Sequence, residues 1–116
     1  NHIAALPGRK IIYTNGTAPY ATRVIEARGL SGIFDAIYGV EHAGFLPKPE
    51  RGAFDAVFLR DGVVPKRAAM FEDDPRNLKE PHAMGMRTVL VAPKSHNAGY
   101  IHHHTPDLSQ FLSQLL

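Results

Sequence analysis

The stretch Ala68-Ala69-Met70-Phe71-Glu72-Asp73-Asp74-Pro75 (residues 68–75) runs from short apolar sequence directly into three consecutive carboxylates and a proline. Ala68–Phe71 has the length and apolarity of a buried strand, so the chain is expected to leave a sheet where the charges begin. Three adjacent carboxylates at a strand end repel one another unless a cation is close. Hard oxygens of this kind suit Mg²⁺, which takes one or two protein carboxylates together with water and substrate phosphate. The competing reading is a solvated acidic loop in which Asp74 caps a helix from Pro75 onward.

On both sides of this stretch, short apolar runs alternate with helical patterns, the rhythm of an α/β domain with a parallel sheet. Upstream, Lys10–Thr14 (KIIYT) reads as a buried strand closed by Asn15-Gly16. Thr17–Arg28 predicts a helix with Thr17 as cap, Pro19 in the first turn, Tyr20, Ala21, Val24 and Ile25 on one face, and Gly29 beyond its end. Phe34–Val40 is a second strand and Glu41–Pro47 a loop. Pro49 opens a helix that puts Ala53, Phe54, Val57 and Phe58 on one face and stops at Asp61-Gly62. Downstream, Pro75–Met84 patterns as a helix closed by Gly85, which Pro81 should kink or shorten. Arg87–Val91 is a fourth strand, and Ala92–His104 has no period and reads as a loop. Thr105 as cap, Pro106, and Leu108, Phe111, Leu112, Leu115 and Leu116 predict a last helix. The Tyr and Phe side chains fall on apolar faces and are expected in the core.

Composition sets the outer limits. With 116 residues, 44% hydrophobic and 21% charged, the chain can bury one core and is too short for two domains. Apolar stretches such as Thr88–Pro93 fall far below the roughly 20 residues that cross a bilayer, so no membrane partner is expected. The lack of cysteine excludes a disulfide scaffold, a zinc ribbon and a thiol nucleophile, and fits a reducing compartment, with the cytoplasm as expected location. Thirteen basic and 11 acidic residues are spread without blocks of like charge, so a pI near 9.1 does not argue for a nucleic acid polymer as partner. The opening Asn1-His2-Ile3 has neither Met nor the regions of a signal peptide, and the chain reads as a piece of something longer.

In a parallel sheet of this kind, functional groups collect beyond the carboxyl ends of the strands. Thr14, Asn15 and Gly16 follow the first strand and offer a hydroxyl, an amide and a flexible backbone that can present N–H groups to an anion. Taken alone, they are more simply a turn. Lys48, between Pro47 and Pro49, stands at a predicted helix start where the dipole disfavours a cation, so it is either a surface lysine or one compensated by an anion. A hydroxyl with backbone amides, a fixed lysine and an acidic cluster after successive strands together make a site for phosphate plus a divalent cation. Other candidates are weaker. His102-His103-His104 alternates in direction, so at most His102 and His104 face one metal, and a solvated loop is the simpler reading. Ser95-His96 lacks a nucleophile elbow, and no Gly-x-Gly-x-x-Gly or Gly-Lys-Ser/Thr pattern occurs.

The order Ile11-Ile12-Tyr13-Thr14-Asn15-Gly16, then Lys48-Pro49, then Met70-Phe71-Glu72-Asp73-Asp74-Pro75-Arg76-Asn77 followed by Ala83-Met84-Gly85-Met86 resembles motifs II, III and IV of the haloacid dehalogenase-like hydrolase superfamily. Nearly the whole chain is covered, and the acidic stretch with Asn77 looks most like the pyrimidine 5′-nucleotidase branch. The resemblance implies a Rossmannoid three-layer α/β/α fold with a parallel sheet, and a Mg²⁺-dependent phosphohydrolase acting on a small phosphomonoester. By that resemblance Thr14 would bind a phosphate oxygen beside the Asn15 and Gly16 backbone, and Lys48 would neutralise phosphate and the nucleophile. Asp73 would be the principal Mg²⁺ ligand, Glu72 or Asp74 would assist directly or through water, and Asn77 would sit one layer behind them.

The family's motif I, Asp-x-Asp-x-Thr/Val, supplies the aspartyl nucleophile and the general acid, and no such pattern occurs in these residues. The chain is therefore expected to be the C-terminal part of one core domain, 1–116, without the motif I strand and the cap, residues 1–7 being the tail of the cap connection. Alone it should be inactive. In the family's two-step mechanism an Asp attacks phosphorus and the aspartyl-phosphate is then hydrolysed. A haloacid dehalogenase is the nearest rival, but that branch uses no Mg²⁺ and has uncharged residues where Glu72-Asp73-Asp74 stands here. A non-catalytic module retaining an anion pocket is the rival of another class. In the family's strand order the motif I strand lies between those of motifs II and IV, so Lys10–Thr14 and Ala68–Phe71 should not pair. An N-terminal segment or another chain is expected to complete the sheet.

Overall fold

Every strand pairing in the computed structural model, which describes residues 2–115, is parallel. Parallel neighbours need crossover connections, and helices fill all but the last of them, where residues 92–102 cross without one. In chain order the elements are α1 (His2–Ala5), β1 (Ile11–Tyr13), α2 (Ala18–Ala27), β2 (Ala36–Tyr38), α3 (Arg51–Asp61), β3 (Ala69–Glu72), α4 (Lys79–Ala83), β4 (Arg87–Val91), β5 (His103–Thr105) and α5 (Leu108–Ser113). Short 3-10 turns cover Val40–Ala43, Pro65–Arg67 and Pro75–Leu78. The result is the expected Rossmannoid α/β architecture.

The strands form two sheets. β1 pairs with β2, Tyr13 opposite Tyr38. β4 pairs with β3 on one side and β5 on the other, Glu72 opposite Leu90 and Val91 opposite Thr105. β1 and β3 are not hydrogen-bonded to each other, as expected if one strand belongs between them. The radius of gyration of 13.7 Å is close to the roughly 13 Å of a compact domain of this size, so the two sheets share one body.

Local sequence explains most elements. The Thr17 hydroxyl caps α2 by accepting from the Tyr20 N–H, and Gly29 at φ +70° ends it with the Leu30 N–H on the Ile25 carbonyl. α3 buries Ala53, Phe54, Val57 and Phe58, and these join Met70, Leu78, Met86 and Leu90 in the core. Tyr13 meets Phe54 and Phe58 edge-on, with ring centres 5.9 and 6.5 Å apart, which ties β1 to the same core.

Several expectations need correction. Residues 75–84 are not one helix: Pro81 lacks an N–H and its ring would clash with the carbonyl four residues back. A 3-10 turn therefore precedes α4, where Pro81 falls in the first turn and its N–H is not needed. α3 begins at Arg51, not Pro49, because the chain turns at Pro47–Glu50 first. Within the expected loop 92–104, β5 begins at His103: buried β4 needs a partner on its second edge, and that need overrides a sequence with no strand pattern. Thr105 consequently ends β5, and Asp107 caps α5 by accepting from the Gln110 N–H. Tyr20 and Phe45 are exposed rather than in the core, Tyr20 lying under the Arg23 guanidinium, and Leu115 is exposed too. Leu116 lies outside the described residues.

An ion pair anchors the front of the chain. Arg9 grips Asp61 with three hydrogen bonds, the shortest 2.7 Å, and the Tyr38 hydroxyl donates to the same carboxylate at 2.8 Å. Asp61 ends a helix, where a negative charge is disfavoured, and Arg9 and Tyr38 offset this by holding its carboxyl below the ordinary range. A depressed folded-state pKa gives stability that is complete above the unfolded value of about 3.9 and is lost as pH falls through the folded value. Acid unfolding of Asp61→Asn should therefore show a shallower loss of stability below about pH 4 than the parent, as followed by circular dichroism.

Candidate active site

The carboxyl ends of β1 and β3 approach the same lysine. Lys48 is buried, and its Nζ donates to the Tyr13 carbonyl at the end of β1 (3.2 Å) and to Glu72 Oε2 at the end of β3 (2.8 Å). It also lies 4.8 Å from the centre of the Tyr13 ring, a cation–π contact. The side chain thus spans the interval between the two sheets. An ammonium has three donors, and these two oxygens take two of them. Of the two readings of Lys48, the surface lysine is excluded, and the compensating anion is Glu72 of this chain.

Asn15 fixes the lysine. Its Oδ1 accepts from the Lys48 N–H (2.8 Å) and its Nδ2 donates to the Lys48 carbonyl (3.3 Å). Thr14 Oγ1 accepts from the Gly16 N–H at 3.1 Å, leaving the hydroxyl proton to donate elsewhere. Glu41, within a stretch expected only as loop, accepts from the Ala18 N–H with both oxygens, at 3.1 and 3.2 Å, and steadies the start of α2. Its position just beyond a strand end was the available signal. A Cβ on Gly39 would clash with the Glu41 carboxylate and with two backbone atoms, the Ala18 nitrogen and, at 2.8 Å, the Gly16 carbonyl oxygen. The backbone atoms cannot give way, so Gly39→Ala should cost about 2–4 kcal/mol by thermal or urea unfolding.

The acidic run is divided by its partners. Glu72 Oε1 accepts from the N–H groups of Asp73 (3.1 Å) and Asp74 (3.3 Å) while Oε2 holds Lys48. Burial pushes its carboxyl up, the neighbouring Asp73 adds to this, and Lys48 acts against both. Asp74 accepts from the Arg76 N–H (3.0 Å) and pairs with the Arg76 guanidinium at 2.8 Å, which lowers its pKa and realises the capping alternative. Asp73 is exposed and has no ion-pair partner among the described residues. Asn77 is buried in the 3-10 turn behind the run.

Mg²⁺ can be tested against these donors. Among the described residues no group of three or more His, Asp or Glu is gathered around one metal position. Of the three expected ligands only Asp73 is unclaimed by a cation, its side chain lying against the Glu72 carboxyl. A single unclaimed carboxylate fits an ion which takes one or two protein carboxylates and keeps several waters. His102 and His104 are not brought together: His102 Nδ1 accepts from the Thr88 N–H and His104 Nε2 bonds the Ala92 carbonyl. Tyr13, on β1, packs against the core as expected. Its hydroxyl is buried without a hydrogen-bond partner among the described residues, and burial with the Glu72 charge pushes it up to about 12.

Comparison with known proteins gives a consistent picture. The family model for haloacid dehalogenase-like hydrolases matches residues 9–91, which include Thr14, Lys48 and Asp73. No curated protein matches. Among solved structures, the Bacillus subtilis protein YfnB bound to magnesium is similar with a TM-score of 0.82 at 21% identity, over 98% of this chain and 53% of that one. L-2-haloacid dehalogenase from Xanthobacter autotrophicus with covalently bound chloropropionic acid gives 0.82 at 17% identity, over 98% and 57%. A Thermotoga maritima protein assigned as a β-phosphoglucomutase gives 0.73 at 16% identity, over 93% and 53%. The chain spans about half the length of these structures. No helix among the described residues is long and apolar enough to cross a membrane.

Proposed function

The chain belongs to the haloacid dehalogenase-like hydrolase family, and from that premise we propose that it forms the phosphate- and metal-facing part of a Mg²⁺-dependent phosphohydrolase. The substrate is a small phosphomonoester, with a pyrimidine nucleotide as the class the acidic motif favours. The observation that carries this reading is the pairing of a buried, fixed Lys48 on Glu72 with an exposed Asp73 carboxylate, next in the chain, that no cation holds. Lys48 and the Thr14 hydroxyl face the phosphate, with the Asn15 and Gly16 backbone alongside. Asp73 holds Mg²⁺, which when bound screens phosphate charge and polarises the phosphoryl oxygens. A dehalogenase needs no such carboxylate. The magnesium bound by YfnB supports the metal, and the β-phosphoglucomutase assignment of another neighbour supports phosphoryl chemistry.

No Asp-x-Asp-x-Thr/Val sequence occurs in the 116 residues, so the nucleophile comes from a segment outside them, which also supplies the strand between β1 and β3. The test is a protein extended to include that segment, assayed for phosphate release from nucleoside monophosphates and for chloride release from 2-chloropropionate, with and without Mg²⁺. Phosphate release that needs Mg²⁺, with none from the 116 residues alone, is expected. Chloride release in the presence of a chelator, without phosphate release, would identify a dehalogenase instead. Phosphate binding without turnover of either substrate would identify a binding module.

A further inference from the structure

We propose that a cleft at the amino ends of β3 and β4 binds a small, phosphate-bearing polyanion at a site separate from Lys48. The cleft has a volume of about 500 Å³, and its charged lining is Lys66, Arg67, Arg87 and His102. These come from three places in the chain: the 3-10 turn Pro65–Arg67, the first residue of β4, and the residue just before β5. No carboxylate lines the cleft. Lys66, Arg67 and Arg87 have no ion-pair partner among the described residues, so no acid offsets their charge at the cleft. Gathering unpaired cations around one concavity costs repulsion that an anion between them would reverse.

The positions are built rather than incidental. The Lys66 stem lies against the backbone at Gly85, where a Cβ would come within 3.0 Å of Lys66 Cγ and where φ is +98°. His102 is held by Thr88, whose N–H donates to Nδ1 at 3.0 Å. The neutral ring therefore carries its proton on Nε2, a donor without added charge. Burial first, then Arg87 and His82, keep that ring below its ordinary pKa. Two guanidinium forks with an ammonium and a ring N–H suit phosphate oxygens, which arginine binds in bidentate fashion. The volume is that of a small-molecule site. No Phe, Tyr or Trp lines the cleft to stack a base, which disfavours single-stranded nucleic acid. β3 carries the chain from this cleft at Ala69 to Glu72, three residues or about 10 Å away, so the two sites are distinct.

The experiment titrates inorganic tripolyphosphate, without divalent cation, into the folded protein and follows backbone amide shifts. Saturable shifts at Arg67–Ala69 and Gly85–Arg87 are expected, with affinity falling at least tenfold in Arg67→Gln/Arg87→Gln and severalfold in Lys66→Gln. Both arginines are exposed, so the variants should fold, and circular dichroism checks this. Shifts confined to Thr14–Gly16 and Lys48, shifts that grow linearly without saturating, or equal affinity in the variants would each overturn the proposal. The first of these would leave the phosphohydrolase reading intact.

Discussion

Lys48→Met should lower the melting temperature by roughly 10 °C, about 3 kcal/mol, and reduce turnover of the protein extended through the nucleophile segment by two or more orders of magnitude. The Lys48 and Glu72 side chains are 6% and 9% exposed and 2.8 Å apart, so removing the lysine strands a buried carboxylate. Breaking such a pair costs about 3–5 kcal/mol. The low end applies, because Glu72 keeps the Asp73 and Asp74 N–H groups and is already pushed toward its protonated form. Adding Glu72→Gln removes the stranded charge. The double variant should therefore regain at least half of the lost stability by thermal unfolding and none of the activity. Recovery of activity with stability would mean that Lys48 is structural only.

Asp73→Asn should show the opposite pattern. Its side chain is exposed and unpaired with any cation, so the melting temperature should move by no more than about 2 °C, the range for surface changes without a partner. Turnover by the protein extended through the nucleophile segment should fall by roughly three orders of magnitude, since a charged metal ligand contributes several kcal/mol to transition-state stabilisation. Near-normal activity with unchanged Mg²⁺ dependence would remove Asp73 from the site.

The features most legible in the sequence were those fixed by local pattern. The i, i+1, i+4, i+5 spacing of Ala53, Phe54, Val57 and Phe58 gave the buried face of α3, and Thr17 and Gly29 gave both ends of α2. The three candidate sites lie at the strand ends where a parallel sheet collects them. What was not legible depends on partners far along the chain. Glu72 is 24 residues from Lys48, and nothing local tells which carboxylate of the run is taken by the lysine, which caps a turn and which stays open. β5 exists because β4 has an edge to fill, a demand invisible in His-His-Thr itself. Asn15 holds the Lys48 backbone through its side chain, whereas the pattern pointed to its backbone as an anion donor.

In the proposed site the end of β3 presents Asp73 to a divalent cation near Lys48. This placement is tested most directly by titrating Mn²⁺ into the isotope-labelled protein and mapping paramagnetic line broadening of the backbone amides. Loss of the Glu72–Asp74 and Thr14–Asn15 signals is expected at substoichiometric Mn²⁺, reversed by excess Mg²⁺ and abolished in Asp73→Asn. Broadening centred on the histidines of residues 102–104, or unchanged in Asp73→Asn, would contradict it.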